Sequence, residues 1–303
     1  MLDKNLSRAL QIGCVACLCV ALGACSSDSR KKIACSTFGE CNSQENTQTK
    51  PHQQNQETSK PQQNLADAYL NAFKSKDYSK ALEYAQKAIE AGDVDAYVIL
   101  AGIYIRGLGV EKNYSKALEY VQKALIAKSA ATRAFAYSDL GTMYLMGQGV
   151  VKDYAKAFEY LQQAIKLGGE DAPPTAYCNL SSMYLEGLGV EKDYQKAFEY
   201  AKKAAQADSP IKSIAYGNLG FMYLTGKGVV KNTQSALDYF QKAVEIGDDG
   251  ADQGYYGLGI MYEQGLGVAQ DLNMAQQYYS KACKMGLQEA CSSKTSKPQI
   301  EER

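Results

Sequence analysis

A fourteen-residue phrase that recurs through the chain constrains its fold more than any other feature. It reads GQGVVKDYAKAFEY at residues 147–160, and close variants begin at Gly107, Gly187, Gly226 and Gly265. The copies are 40, 40, 39 and 39 residues apart. A period of this length is typical of repeat proteins, in which each unit buries its apolar face against its neighbours. We therefore expect an array of stacked units.

Each unit carries the pattern of two helices. From Tyr137 to Tyr144, a tyrosine, a leucine, a glycine and a second tyrosine occur at positions i, i+3, i+4 and i+7, which form one face of an α-helix. This is helix A. From Ala157 to Ala164 the same spacing defines helix B. The alanines at both ends of the helix B face predict close approach of neighbouring helices, because a larger side chain would hold the backbones apart.

The phrase itself reads as the connection between helix A and helix B. Gly147 suits the left-handed conformation that ends a helix without a Cβ clash. Asp153 stands at the start of helix B, where every unit has Asp or Asn, and its carboxylate can accept a hydrogen bond from a first-turn amide. Between them, the second glycine turns the chain and Val150 fills the space below the turn.

A phosphate-binding function for the glycines is the alternative that the residues disfavour. A dinucleotide-binding loop follows a strand and needs a third glycine, but here a helix precedes the loop and Lys152 stands in the third glycine's place. Five copies in one chain also favour a structural role.

These units resemble Sel1-like repeats, relatives of the tetratricopeptide repeat with a longer turn between the helices. The resemblance covers residues 65–291: a shorter opening unit without the glycine turn, then five full units. Thr233 and Leu272 depart from the tyrosine that follows the cap elsewhere, and Ser181 replaces the small glycine. The resemblance implies an all-α fold, a right-handed α-solenoid of stacked helix-turn-helix repeats, over residues 65–293.

The N-terminal residues 1–24 have the features of a secretory signal. Lys4 and Arg8 precede a short apolar stretch that ends in LGAC, with Cys25 last. This ending resembles the lipobox of bacterial lipoproteins, which implies cleavage before Cys25 and attachment of lipid, including palmitate, to it. Two or more acyl chains would anchor the protein stably, and Ser26 favours the outer membrane. The alternative is an ordinary secreted protein in which Cys25 is incidental.

Residues 25–64 read as a disordered tether, because they are rich in Gln, Asn, Ser, Thr, Lys and Pro and have few large apolar side chains to bury. Cys35 and Cys41 either close a small disulfide loop or remain unpaired. Residues 294–303 form a short C-terminal tail. The protein is therefore expected to face the periplasm, attached to the membrane through its lipid alone.

Cys283 and Cys291 lie at the end of the last unit, in KACKMGLQEAC. This segment resembles the cysteine-rich branch of the Sel1 family, which implies a disulfide that joins helix B to the helix after it. Such a bond would oppose fraying of the last unit, on which no further repeat stacks. Cys178 has no such partner and is expected to be a buried or groove-lining thiol.

Composition excludes several classes of function. The chain has 33 basic and 33 acidic residues, so it lacks the net field that would recruit nucleic acid. Its one histidine, His52, lies in the tether, and it has neither a histidine cluster nor paired C-x-x-C motifs. We expect no metal, no cofactor and no small-molecule substrate.

Two rival functions stay open at this point. Some cysteine-rich relatives are β-lactamase-like or penicillin-binding, and Ser209 and Lys212 have Ser-x-x-Lys spacing; capping of a helix explains that serine equally well. The second rival is a module that binds peptidoglycan.

The resemblance to tetratricopeptide repeats implies that one face of each helix A lines a concave groove that binds proteins or peptides. Carried onto this chain, the groove residues are Val98, Ile105, Arg106, Phe135, Ser138, Thr142, Met146, Thr175, Cys178, Ser182, Glu186, Ile214, Phe221, Thr225, Tyr256 and Ile260. Aliphatic contacts would supply most of the affinity. The alternative is that Ile105, Leu145, Leu185 and Leu224 simply pack against a neighbouring helix. The function expected from the sequence is a non-enzymatic periplasmic scaffold.

Overall fold

The computed structural model describes residues 60–207, 209, 211–247 and 250–293. The predicted signal sequence, Cys25, the tether as far as residue 59 and the tail from residue 294 lie outside the described residues. Within the described part, all regular structure is helical: thirteen α-helices, one 3₁₀ segment and no strand.

The helices follow the predicted alternation of A and B. Their bounds are α1 Lys60–Lys74, α2 Tyr78–Glu90, α3 Ala96–Arg106, α4 Tyr114–Ala124, α5 Ala130–Met146, α6 Tyr154–Gly168, α7 Pro174–Glu186, α8 Tyr194–Gln206, α9 Lys212–Thr225, α10 Thr233–Ile246, α11 Ala251–Gln264, α12 Leu272–Lys284 and α13 Gln288–Ser293. The odd-numbered helices α1 to α11 are A helices, and each is followed by its B helix. The short α13 comes after the last hairpin.

Helix α1 begins five residues earlier than the repeat region predicted from the sequence. Residues 60–64, assigned above to the tether, form its first turn. Pro61 is compatible with this position, because the first amides of a helix have no intrahelical acceptor to lose. The first helix therefore begins about one helical turn before residue 65.

The described residues form two compact units, 60–136 and 137–293, with the boundary inside α5. In the first unit, α1 packs on α2, α2 on α3, and α3 on α4. In the second unit the same order continues from α6 to α12, and the A helices α9 and α11 also contact each other. Every B helix of the second unit is thus packed between its own A helix and the helix that follows.

Helix A and helix B bury their surfaces differently. The B helix α8 is amphipathic and buries a narrow alanine stripe that includes Ala197, Ala201 and Ala204. The A helix α9 is buried over most of its circumference, from Ser213 to Leu224. This difference is what a layer of A helices enclosed by B helices requires.

Small residues on the A helices receive large side chains from the B helices. A Cβ atom on Gly141 would lie 2.6 Å from Leu161 Cγ, and one on Gly220 would lie 2.5 Å from the ring of Phe240. The predicted close approach of helices is confirmed, although much of it depends on glycine in helix A as well as alanine in helix B.

The connecting loop has the predicted caps at both ends. Gly226 adopts φ 74°, and its amide donates to the Met222 carbonyl at 2.8 Å. The Asn232 side chain accepts from the Ser235 amide at 2.9 Å, and Asp153 accepts from Lys156 at 3.0 Å. Each Asp or Asn at the start of a B helix accepts in this way. These caps fix where helix A stops and helix B begins.

The second glycine of the loop has a role beyond turning the chain. Gly189 has φ 66°, and a Cβ there would lie 2.6 Å from the Tyr154 carbonyl oxygen, at the start of helix B in the preceding hairpin. Gly228 approaches the Tyr194 carbonyl in the same manner and more closely. These two loops therefore rest on the hairpins before them, and only glycine leaves room for this contact.

Replacing Gly228 with alanine should destabilise the protein more than replacing Gly247. Both glycines have positive φ, so both variants lose about 1 kcal/mol from backbone conformation. A Cβ at Gly247 meets nothing closer than 3.7 Å, whereas one at Gly228 collides with the Tyr194 carbonyl, which adds about 1–3 kcal/mol. Thermal melting followed by circular dichroism should give a lower midpoint for G228A than for G247A. Equal midpoints would contradict the loop-to-hairpin contact.

Candidate protein-interaction surface

Most of the residues predicted to line a groove are inside the protein. Eleven of the sixteen are buried: Val98, Phe135, Ser138, Thr142, Thr175, Cys178, Ser182, Ile214, Phe221, Tyr256 and Ile260. These residues cannot touch a partner in this arrangement, so the predicted groove is wrong for them. The physical reason is that neighbouring helices pack over the helix A face that was expected to be open.

Phe221 shows how this face is covered. Its ring lies 4.8 Å from the centroid of Phe240 on helix B and 6.3 Å from that of Tyr256 on the next helix A. The side chain is fully buried. In the same layer, Gln253 of α11 lies over Gly217 of α9, where a Cβ would approach Gln253 Cβ to 2.7 Å. Consecutive A helices thus bury each other.

The buried polar groove residues also bond within the protein. Thr142 Oγ1 donates to the Ser138 carbonyl at 2.9 Å, and Asn179 Nδ2 donates to Thr142 Oγ1 at 2.8 Å. Ser182 Oγ donates to the Cys178 carbonyl at 3.0 Å. The bond between Asn179 and Thr142 joins α5 to α7 and contributes to packing in the A layer.

Five predicted groove residues stay half-exposed: Ile105, Arg106, Met146, Glu186 and Thr225. Four of them are the last residue of an A helix. In the second unit, the four A helices end in Met146, Glu186, Thr225 and Gln264, and Gln264 is exposed. We call these four residues the terminal row.

The leucines one position before the terminal row had the alternative prediction of packing against a neighbouring helix, and this prediction is confirmed. Leu145, Leu185 and Leu224 are buried. Ile105, in the first unit, is half-exposed, and Arg106 beside it places its guanidinium 5.1 Å from the centroid of Phe73. The accessible surface of the A helices is therefore narrower and less apolar than the sequence indicated.

The loops after the A helices expose two large apolar side chains. Val151 is 88% exposed and Val230 is 84% exposed, each directly after the valine that fills the turn. The equivalent residue in the intervening loop is Glu191. Isolated exposed valines need no explanation, but these two occupy equivalent positions in loops two hairpins apart. Both lie at the same end of the hairpins as the terminal row.

Tyrosines that recur in each hairpin stack on one another. Tyr160 of helix B lies between Tyr137 and Tyr144 of helix A, at centroid distances of 5.9 and 5.5 Å. The Lys156 ammonium lies 5.4 Å from the centroid of Tyr144. Burial raises the pKa of the corresponding helix B tyrosine in the next hairpin, Tyr200. The tyrosines therefore hold each hairpin together, and their regular spacing was the sequence signal for this role.

Ser209 lines the same surface depression as Lys212, the lysine of the Ser-x-x-Lys spacing. Its Oγ accepts from the Ile211 amide at 3.4 Å, in the turn before α9. The helix begins at Lys212, and Ile211 at the cap position makes no side-chain capping bond. The serine thus stabilises the turn, where the sequence predicted a helix cap. A nucleophilic serine needs a positioned base, and the chain's one histidine, His52, lies outside the described residues.

Other site types can be assessed in the described part of the chain. No group of three or more His, Cys, Asp or Glu side chains there could hold a metal ion. No helix among the residues described is both long and apolar enough to cross a bilayer. Cys178 is a buried free thiol, as one of the two sequence interpretations expected.

The C-terminal disulfide is present. Cys283 of α12 is bonded to Cys291 of α13, with Cα atoms 4.8 Å apart. This confirms the pairing implied by the cysteine-rich branch. Cys25, the predicted lipidation site, lies outside the described residues.

Comparison with protein families identifies the repeats. Six stretches match the family model described as Sel1 repeat: residues 62–93, 94–127, 134–169, 174–209, 213–248 and 252–287. The chain belongs to the Sel1 repeat family. Proteins of this family are generally protein-interaction scaffolds, and the chain has their all-α solenoid fold.

Two solved structures are similar to this Sel1 repeat protein. One is a Sel1 repeat protein from Oxalobacter formigenes, 25% identical, with a TM-score of 0.59 over 76% of this chain and 86% of that one. The other is a protective antigen present in uropathogenic Escherichia coli strains that displays an SLR fold, 28% identical, with a TM-score of 0.52. That match covers 77% of this chain and 47% of the antigen. A search of curated proteins found no match.

Tyr279 should make stability depend on pH in the alkaline range. Its hydroxyl donates to Glu263 Oε2 at 2.9 Å, and burial together with the Glu263 charge raises the pKa of Tyr279 well above its usual value. Above about pH 10 the unfolded phenol ionises while the folded one keeps its proton, so stability falls as pH rises, by up to about 1.4 kcal/mol per pH unit for this group. In the Tyr279→Phe variant, the melting temperature should fall less steeply between pH 9 and 11 than in the parent protein. Tyr194→Phe, at a side chain 40% exposed, is the control; identical profiles for Y279F and the parent protein would contradict the assignment.

Proposed function

We propose that this Sel1 repeat protein is a lipid-anchored, non-enzymatic scaffold of the bacterial cell envelope that binds other proteins through the ends of its A helices. The observation that carries the proposal is the terminal row. At this position the residue type changes from hairpin to hairpin, while the glycine after it and the methionine three residues before it are the same in all four repeats.

Comparison among the repeats separates structural positions from free ones. The residue after the terminal row is glycine in every full repeat, because the helix ends there in a left-handed conformation. The residue three positions before the terminal row is a methionine in all four repeats of the second unit, and each of these methionines is fully buried. The residue type instead varies between repeats at the terminal row, which consists of Met146, Glu186, Thr225 and Gln264.

The chemistry of this surface favours a protein partner. The terminal row combines apolar and polar side chains, among which the Thr225 hydroxyl donates to the Phe221 carbonyl of its own helix, and Val151 and Val230 add exposed apolar groups at the same end of the hairpins. Mixed apolar and polar surfaces with few charges are typical of protein interfaces. A polyanion such as nucleic acid would instead require clustered basic residues.

The envelope location rests on the N-terminal sequence. The signal-like residues 1–24, the LGAC ending at Cys25 and the polar segment after it support an exported lipoprotein. Ser26 supports the outer membrane, with the repeats facing the periplasm. The polar segment would let the repeats reach partners some distance from the bilayer.

A non-catalytic role agrees with the site geometry. Ser209 is engaged in a turn, and the surface depression beside it is lined by Lys212, Tyr216, Lys242, Glu245 and Ile246. Among these described residues there is no histidine, and the Ser209 Oγ accepts a hydrogen bond from the Ile211 amide. The geometry therefore favours the scaffold over the β-lactamase-like alternative.

Site-specific photo-crosslinking tests the binding surface. A photoreactive residue placed at Glu186 or Thr225 should capture a discrete protein in cells that express the full chain. The same residue at Gln241, exposed on helix B of the second unit, is the matched control and should capture less. Val230→Asp should lower capture from Thr225 without lowering the melting temperature, since Val230 is almost fully exposed. Equal capture from all three positions, or pull-down of the purified repeats with peptidoglycan sacculi, would favour a different function.

The anchor requires a separate test. Cys25→Ala should abolish labelling by radioactive palmitate and move the protein from the membrane pellet to the soluble periplasmic fraction, because the acyl chains attach to this cysteine. Cys35→Ala, in the predicted tether, is the control and should leave both properties unchanged. Retention of C25A in the membrane pellet would exclude the lipid anchor. That result would not bear on the interaction surface, which the crosslinking experiment tests.

A further inference from the structure

The short helix α13 occupies the place that a following helix A would take. In the second unit, each earlier B helix packs against the next A helix: α8 on α9, and α10 on α11. Phe240 of α10, for example, directly adjoins Gly257 of α11. After the last hairpin, α12 packs instead against α13, with Leu287 and Ala290 buried at the contact. The six-residue α13 is therefore a shortened substitute for a seventh helix A.

Helix α13 is too short to be stable through its own backbone. Isolated helices shorter than about 12 residues are marginal in water. Leu287 and Ala290 are the two side chains of residues 287–293 that are buried, whereas Gln288 and Ser292 are exposed. An exposed turn at Met285 and Gly286, the latter with φ 105°, joins α12 to α13. In addition to the main chain, the Cys283–Cys291 disulfide joins α12 to α13 covalently.

The disulfide is placed where a reductant can reach it. Both Cys283 and Cys291 are half-exposed. They contrast with the thiol of Cys178, which is fully buried. Disulfide exchange requires an attacking thiolate to reach one of the sulfur atoms, and both cysteines are partly exposed in the folded repeats, although Cys283 also packs against the core.

Helix α13 helps to cover an aromatic surface on the last hairpin. Tyr256 of α11 is 4% exposed. Its hydroxyl hydrogen-bonds with the Ser293 side chain, and the carboxylate of Glu289 is a nearby charge. Both of these partners belong to α13. If α13 moved away, Tyr256 would lose a hydrogen bond and gain contact with water.

We propose that the Cys283–Cys291 disulfide is a redox-controlled latch that holds α13 over the end of the repeat array. A protein dithiol is the reductant: its thiolate attacks one sulfur to form a mixed disulfide and displaces the other cysteine as a thiolate, which takes up a proton. The second thiol of the reductant then resolves the mixed disulfide. The reductant is oxidised to its disulfide, two electrons pass to this protein, and two free thiols result. Helix α13 is then released and the end of the last hairpin, including Tyr256, is uncovered.

Hydrogen–deuterium exchange of the purified chain tests the latch. After treatment with a protein dithiol under native conditions, amides of residues 285–293 should exchange at least tenfold faster than in the oxidised protein. Amides of α7 to α10 should exchange at unchanged rates, because the release is local. Thiol trapping with a mass tag measures how much of the bond has been reduced.

Two variants separate the latch from ordinary packing. The double variant C283S/C291S should exchange fast over residues 285–293 without any reductant and should not respond to it. Leu287→Ala keeps the bond and should show a smaller increase in exchange, with a further increase on reduction. A bond that is reduced only after the repeats unfold would overturn the proposal, and so would reduction that leaves the exchange of residues 285–293 unchanged.

Discussion

The close approach of small residues on helix A to large side chains on helix B is the contact on which the rest of the structure depends. Gly220 against Phe240 and Gly259 against Tyr279 leave no room for even one methyl group. The small residue lets the two backbones approach, and the large side chain fills the space that remains. Gly141 against Leu161 repeats this pair in another hairpin of the second unit, whereas the hairpin between has Ser181 and Ala201 at the equivalent positions.

This close packing restricts where the protein can bind a partner. When consecutive A helices contact each other, as α9 and α11 do, the face between them is buried and Phe221 becomes a core residue. Accessible side chains then remain at the helix ends and in the loops. The caps at Gly226 and Asn232 hold the loop backbone in a fixed position whatever side chain stands at Thr225 or Val230. The accessible side chains can therefore differ between repeats without a change in the loop.

The features that could be predicted from sequence are those decided by local chemistry. The caps at Gly226 and Asn232 depend on backbone conformation and one short hydrogen bond, so the residue types suffice to indicate them. The exposure of Phe221 depends on how tightly the next helix A approaches, which no local pattern encodes. The start of α1 at Lys60 was missed for a similar reason, because a polar first turn resembles a tether until the helix behind it is known to be packed.

The ends of a repeat array face a constraint that its interior does not. An interior B helix is covered by the next repeat, as α10 is by α11, whereas α12 is covered by the short α13. A full seventh hairpin would only move the uncovered surface to a new end. Helix α13 is about one and a half turns long and is fixed by a covalent bond. It ends the array without creating another apolar face, because it buries Ala290 and exposes polar side chains. Packing across many residues holds the interior hairpins together, whereas one disulfide, the Tyr256–Ser293 hydrogen bond and the buried side chains of Leu287 and Ala290 hold α13 and the turn before it.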